Sequence, residues 1–480
     1  MLRFVFKFIF LEVFSLDFSK ILGVVDDFVY LYILVALLII CGLYFTIRMK
    51  FAHIRLFPDA IRYLVDKSSG TKVSSFQALM VCTASKVGTA NIAGVATAIA
   101  IGGSGSIFWM WIMALIGSAS SMAEATLAQM YKRKTEDGSS YIGGPAYYID
   151  RALKNKKLGM IFAGLFLFCF LFGFNALQAN NMSSSLDYYI PNYFNTFWPY
   201  IVGIIFVFLI ASVILGGMKR IGFVTSYVVP IMATVYITMG LYILIANFGK
   251  LPTVFSEMIK NAFDMKAIFG GVAGSTLIIG IKRGLLSNEA GMGSAPNAAA
   301  SAEISHPVKQ GVAQVLSVFI DTIMICSTSA FIVLLSNFDV SDKNNGIGIM
   351  QQAIKSQVGE WGIYFITLSV LAFAFSAIVG NSGLCESNIL FLNKSDKFIK
   401  WVRIISILPI FFGCVAKPVM VWSIANIAMA GIASVNIIAI IALSGRYRTC
   451  LKDYIKQRKE GKDPVFNAPS CGINDTDLWK

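Results

Sequence analysis

Eleven stretches of this chain are apolar over about 17 residues or more, the length at which a helix can cross the roughly 30 Å hydrocarbon layer of a bilayer. They cover residues 29–47, 73–102, 106–130, 158–183, 198–216, 222–247, 267–301, 308–336, 360–391, 401–417 and 420–444. In hydrocarbon every backbone N–H and C=O must be satisfied without water, and a helix does this within one segment. The pattern therefore predicts an all-α integral membrane protein. Composition points the same way: 56% of the residues are hydrophobic and 14% charged, too little charge to clothe a water-soluble surface.

The segments between the spans set the orientation. The formal net charge is +14, but the basic residues form short clusters between apolar runs, as cytoplasmic loops do, and not a nucleic-acid-binding face. With the N-terminus outside, 28 of the 40 Lys and Arg fall on the inner side and nine on the outer side. The other three, Lys86, Lys282 and Arg283, lie inside spans. This predicts a multi-pass protein of a cell membrane, a bacterial inner membrane, with its C-terminus cytoplasmic. Residues 1–28, opening "MLRFVFKFIFLE", read as an interfacial segment with no small-residue cleavage site. Residues 50–69, with Pro58 and mixed charge, read as a helix on the membrane surface, and 445–480 as a basic tail. Eight scattered Cys without a C-x-x-C, and two distant His (His53, His306), offer no metal cluster and no catalytic constellation, so an enzyme is not expected. No nucleotide-binding G-x-x-x-x-G-K-[ST] occurs, and no filter-like segment suggests a channel.

"NIAGVATA" at 91–98 and "NEAGMGSA" at 288–295 stand 197 residues apart. The same shift carries Lys86 onto Arg283, Glu124 onto Asp321, and the second, third and fourth spans onto the seventh, eighth and ninth. Packing of small residues can produce one such octapeptide; it does not produce two charge matches in the same register. Residues 71–248 and 267–444 then form two five-span units. Five is odd, so the second unit is inserted upside down relative to the first: a 5+5 inverted repeat, with span 29–47 as an extra helix.

Inverted repeats gather their site at the midplane, where helices break. "SKVGTANIAG" and "KRGLLSNEAGMGSAP" contain glycines that permit unwinding and Asn and Ser that can satisfy released backbone groups. A broken helix ends in free carbonyls, partially negative, and restarts with free N–H groups, partially positive. The carbonyls of Ala84 to Gly88 would face a cation or ammonium, and the amides of Thr89 to Asn91 a carboxylate. Ser287, Asn288 and Glu289 offer the same at the second break. Lys86, Glu124, Arg283 and Asp321 need partners inside the membrane. Lys86 is expected to pair with an acid near the site, or else to cap broken-helix carbonyls or reach toward the cytoplasm. Glu124 and Asp321 are expected to bond neighbouring helices, with proton coupling as the alternative role.

Residues 102–128, "GGSGSIFWMWIMALIGSASSMAEATLA", together with "VGTANIAGVATAI", "YIGGPAYYI" and "KRGLLSNEAGMGSAP", resemble motifs of the alanine or glycine:cation symporter family. The resemblance implies a leucine-transporter-like fold of the amino acid–polyamine–cation superfamily. It further implies a monomeric symporter importing alanine or glycine with Na+ and no organic cofactor. By the match to the family's G-x-G-N stretch, Gly88, Thr89 and Ala90 would hold the substrate carboxylate and Asn91 would help coordinate a cation. Carbonyls of Ala84 and Val87, with the Ser376 hydroxyl, would form a sodium site. Ala90 and Ser104 depart from the usual Gly and Pro. In "AFSAIVGN", Ala377 lacks a hydroxyl and Asn381 replaces an aromatic of the family's A-F-T-T-x-x-G-W. Those two positions keep open an alternative, proton coupling or an altered substrate.

Overall fold

A computed structural model describes residues 28–64, 73–264 apart from 137 and 139, 275–336, and 346–479 apart from 417. Most of the 1–28 segment, the end of 50–69 and the start of 267–301 lie outside the described residues. Among those described, the chain is helical apart from one two-stranded pairing, Arg133–Lys134 with Tyr141–Ile142.

We label the helices used below in chain order: α1 Val35–Arg48, α2 Phe57–Leu64, α3 Ser75–Lys86, α4 Ala93–Gly102, α5 Gly105–Met130, α6 Pro145–Ala152, α7 Lys156–Ser184, α8 Trp198–Ile214, α9 Gly217–Ala246 and α10 Leu251–Ala262. They continue with α11 Thr276–Asn288, α12 Ala295–Ala299, α13 Pro307–Leu334, α14 Gly346–Val358, α15 Trp361–Leu392, α16 Asp396–Val415, α17 Pro418–Ala442 and α18 Ser444–Lys459. Among the described residues, seven of these helices are long and apolar enough to cross a membrane by themselves, and α3 with the segment Thr89–Gly102 makes an eighth crossing bent by 62°. Two shorter apolar helices, α1 and α8, accompany them. α10 and α14 are extra helices outside the apolar runs.

Helix α5 is the mast of the fold. It packs against α11, α12 and α13, while α3 packs on α15 and α7 on α15 and α17. The reason is visible in its sequence. From Gly117 onward α5 reads "GSASSMAEATLAQM", nine of its fourteen residues Gly, Ala, Ser or Thr, and every one of the fourteen is buried. Small side chains let neighbouring backbones approach, which is where helix association in a membrane gains its packing energy. The tryptophans at the other end are anchors: Trp109 donates to Ala262 O at 3.0 Å and Trp111 to Ser327 Oγ at 2.8 Å.

Besides the π-turn Val29–Leu34 that leads into α1, two of the helices labelled above widen locally. α7 runs as a π-turn over Phe168–Phe174 and α13 over Phe319–Cys326. Wide turns of this kind often sit at functional positions, and the second one contains Asp321.

The tail is bound, not loose. α18 packs along α13 and α5, with Tyr454 bonded to Tyr63 (2.8 Å) and Arg458 paired with Asp59 (2.6 Å). Beyond it the chain returns across the same face. Phe466 N donates to Ser305 O (2.9 Å), Asp463 pairs with Lys309 (2.7 Å), and Asp477 pairs with Arg133 (3.1 Å). Trp479 is buried and donates to Gln129 O at 2.8 Å.

His306 lies under this strap. Its Nδ1 accepts from Val308 N–H at 3.2 Å, and its Nε2 faces Asp453 Oδ2 at 3.3 Å. A neutral ring carrying its proton on Nε2 satisfies both; a second proton, on Nδ1, would break the first. Burial, and then the Lys309 ammonium, lower the pKa of the ring to about 3. The folded value lies below the unfolded value of about 6.5, so the folded form binds fewer protons. The stabilisation is complete above about pH 6.5 and is lost as pH falls from there towards 3. Hydrogen exchange of residues 464–479, corrected for intrinsic rates, should therefore lose protection between pH 7 and pH 4 in the wild type. A His306→Gln variant should show little of this change. Equal pH dependence in both would rule His306 out as the group responsible.

Candidate functional site

The first break is built from local rules. α3 ends at Lys86; Gly88 is extended, with φ −121° and ψ −166°, and a single 3-10 turn, Thr89–Asn91, precedes α4. The helical bonds are diverted here. Gly88 N turns to Lys86 O (2.9 Å), Thr89 N to Gln178 Oε1 (2.9 Å) and Asn91 N to Gly88 O (3.2 Å). The carbonyls of Ala84, Ser85 and Val87 thereby lose the amides that a continuous helix would have given them. The Asn91 side chain closes the turn, its Oδ1 accepting from Gly88 N at 3.1 Å.

The second break begins where α11 ends on Glu289, a buried non-glycine residue in the left-handed region at φ 53°. Such a conformation strains an L-residue and persists only where the surroundings enforce it. Gly291 (φ 81°) and Gly293 (φ 83°) then reverse the chain at no such cost before α12 starts. Glu124, from the middle of α5, accepts from the amides of Gly291 (3.3 Å) and Gly293 (3.0 Å) and from Asn436 Nδ2 (2.7 Å). Asn436 also accepts from the Tyr148 hydroxyl.

A second acid joins the two breaks. Asp321 on α13 accepts from Asn91 Nδ2 of the first break and from Ser287 Oγ of α11, and Thr322 Oγ1 donates to it at 3.0 Å. Asn91 and Ser287 also touch (3.3 Å), and Cys326 Sγ lies 3.0 Å from Ser287 Oγ. Asp321 is wholly buried.

Opposite them α7 presents a row of amides. Gln178 Oε1 accepts both from Thr89 N and from Thr89 Oγ1 (2.8 Å), and Asn181 Nδ2 donates to Thr89 Oγ1 at 2.7 Å. An added Cβ at Gly88 would press on the Gln178 carboxamide and push it from its place against Thr89.

Of the residues singled out by sequence, Gly88, Thr89, Asn91, Ser287, Asn288 and Glu289 are all buried at the two breaks, with Ala90 partly exposed beside them. Asn91, Ser287 and Asp321 meet directly. Ala84 and Val87 are buried with their carbonyls released. Ser376 is buried one turn before Gly380, where α15 presses on the Ala84–Ser85 backbone. Its hydroxyl donates to Phe373 O (3.1 Å) and approaches Met232 Sδ (3.4 Å). Lys86 finds a hydroxyl partner on α13. It donates to Ser317 Oγ at 2.8 Å, because the α13 face beside it carries hydroxyl and amide groups, Ser317 and Gln314. Arg283 lies beside Gly94 and over the Trp422 ring, 4.6 Å from its centroid. Gln178, Asn181 and Asn175 were not singled out by sequence, although "NALQANN" is a polar run inside an otherwise apolar span.

The arrangement offers hydrogen-bond donors for a carboxylate at Thr89 and a cluster of side-chain oxygens around Asp321. The sequence model of the sodium:alanine symporter family matches residues 16–468. The chain belongs to that family. Among its relatives, the probable sodium/glutamine symporter GlnT of Bacillus subtilis (strain 168) is 43% identical over 451 residues, 93% of this chain and 93% of the relative. The amino-acid carrier protein AlsT of the same organism is 42% identical over 467 residues, 96% of this chain and 98% of its own. The sodium/alanine symporter AgcS of Methanococcus maripaludis is 35% identical over 441 residues, 90% of this chain and 96% of its own. Membership makes the chain a multi-pass membrane transporter of amino acids.

The Glu124 clasp is directly testable. Glu124→Ala would leave two buried amides and Asn436 short of an acceptor, at about 1–3 kcal/mol for each open group. Glu124→Gln keeps one acceptor oxygen. Melting in detergent should fall clearly further for Glu124→Ala than for Glu124→Gln, and equal midpoints would mean that the clasp carries no stability.

Proposed function

We propose that this chain is a Na+-coupled symporter importing a neutral amino acid through a leucine-transporter-like 5+5 inverted repeat of eleven spans, N-terminus outside. The observation that carries this reading is the buried Asp321 carboxylate bonded to both broken helices at once, through Asn91 and Ser287. A charge in that position is costly in a membrane unless a cation or a bonded network offsets it. A cation that enters there, or at the released carbonyls of Ala84 and Val87 beside Ser376, brings the charge the site lacks.

The substrate carboxylate would take the place now held by Gln178 Oε1, accepting from Thr89 N and the neighbouring amides of Gly88 and Ala90. The ammonium would lie towards the C-terminal carbonyls of α11, at Ser287 to Glu289, where the helix dipole is negative. The cation offsets the carboxylate, and this links the two gradients. Access then alternates as one helix group rocks against the other around the fixed breaks. The small residues around both breaks admit alanine or glycine without excluding a longer neutral side chain, and the names of the relatives run from alanine to glutamine.

Proton coupling is the competing reading, favoured by the same buried carboxylate. Uptake into proteoliposomes under a Na+ gradient, compared with a proton gradient, separates the two. Asp321→Asn preserves shape and removes the charge. It should cut Na+-dependent uptake at least about tenfold, the equivalent of about 1.4 kcal/mol, and flatten the dependence on Na+ concentration. Wild-type Na+ dependence in this variant would remove Asp321 from the coupling. Uptake of no neutral amino acid under either gradient would end the proposal as a whole.

A further inference from the structure

We infer that the site selects a neutral amino acid whose side chain ends in a carboxamide, and that Asn381, Asn175 and Ser85 read that group. This rests on the proposal that the first break holds the substrate.

Asn381 lies on α15, one residue beyond Gly380, where that helix meets the Ala84–Ser85 backbone of the first break. Its Oδ1 accepts from Ser85 Oγ at 2.6 Å, and its Nδ2 donates to Asn175 Oδ1 at 3.0 Å. The relay thus ties three elements together: α3, α7 and α15. Asn175 stands three residues before Gln178, on the same face of α7, and Gln178 is the group that holds the Thr89 amide and hydroxyl. The relay therefore begins one turn away from the expected place of the substrate's carboxylate.

The relay does not close. Asn175 and Asn381 are both 0% exposed, yet Asn175 Nδ2 has no hydrogen-bond partner. A buried amide donor left open is costly; fourteen buried side-chain polar atoms are open among the described residues, and this one belongs to the relay beside the first break. A side-chain carbonyl of the substrate would accept from it. Turning both asparagines over together, with Ser85 Oγ then accepting, would exchange the open donor for an open acceptor, and a carboxamide supplies both. A methyl group would leave the relay open. A carboxylate or ammonium side chain would bring a charge to three neutral groups, with the cost of burying an unpaired ion. An aromatic side chain at position 381, as in the motif this segment resembles, would make no such demand for a polar partner. Sites built to bond a polar substrate group discriminate strongly against an analogue that lacks it, because their own groups then stay unpaired.

The test is competition for Na+-driven uptake of a labelled neutral amino acid by the full chain in proteoliposomes, with glutamine, asparagine, alanine, leucine and glutamate as competitors. Glutamine or asparagine should compete at least about tenfold more strongly than alanine, and glutamate should compete weakly. In Asn381→Leu, whose side chain is similar in size and apolar, the ratio of amide to alanine competition should fall about tenfold. If that variant does not assemble, Ser85→Ala carries the same readout at the other end of the relay. Alanine competing as well as both amides in the wild type would overturn the inference while leaving a neutral amino-acid site intact. An unchanged ratio in an assembled variant would also overturn it. Failure of every neutral amino acid to bind or enter would bring down the first-break site and this inference together.

Discussion

A helix that stops inside a membrane leaves backbone donors and acceptors with no water to take them, and the rest of this architecture is arranged around that constraint. Two helices stop here. At the second break the orphan amides of Gly291 and Gly293 are taken by Glu124, and at the first the turn is closed by Asn91, which is itself held by Asp321. Glu124 and Asp321 occupy matching positions in the 197-residue shift. Glu124 serves the break in the other half of the chain, and Asp321 reaches across to the first break while bonding Ser287 of the second. The two breaks are therefore mechanically dependent on one another. Neither can change its backbone path without disturbing an acid that belongs to the opposite half.

The two faces of the site differ in kind. On the α13 side the bonding group at the centre is a carboxylate; on the α7 side it is a row of neutral amides, Asn175, Gln178 and Asn181. A carboxamide can give up a backbone amide to an incoming carboxylate and re-bond elsewhere without creating a buried charge, which a side-chain carboxylate could not do. Gln178 is thus suited to hold Thr89 when nothing else does. On the proposed reading, the acid lies on the side where the cation enters.

Much of this was legible in the sequence, and the reasons are physical. Span length follows from bilayer thickness, and the breaks follow from Gly, Asn and Ser in runs too long for plain helices. The register of Lys86 with Arg283, and of Glu124 with Asp321, was readable because charges are rare in apolar spans. Their partners were not. Lys86 meets Ser317, which lies 231 residues away, and no local pattern announces such a contact. α10 and α14 were missed because they are amphipathic and short of the apolar length used to find spans. The tail was readable as basic, but two of its acids, Asp463 and Asp477, help fasten it, on Lys309 and Arg133, alongside Arg458 on Asp59, and each finds its partner only through the fold. The amides of α7 could have been found: four polar side chains within "NALQANN" are conspicuous directly after a long run dominated by Phe, Leu, Gly and Ala.

The π-turn of α7 ends at Phe174, directly before Asn175. A π-turn holds one residue more than the α-turn it replaces, so everything beyond it is rotated by about 100° relative to an uninterrupted helix. The apolar flank of α7 and its amide row thus owe their relative aim to a single surplus residue.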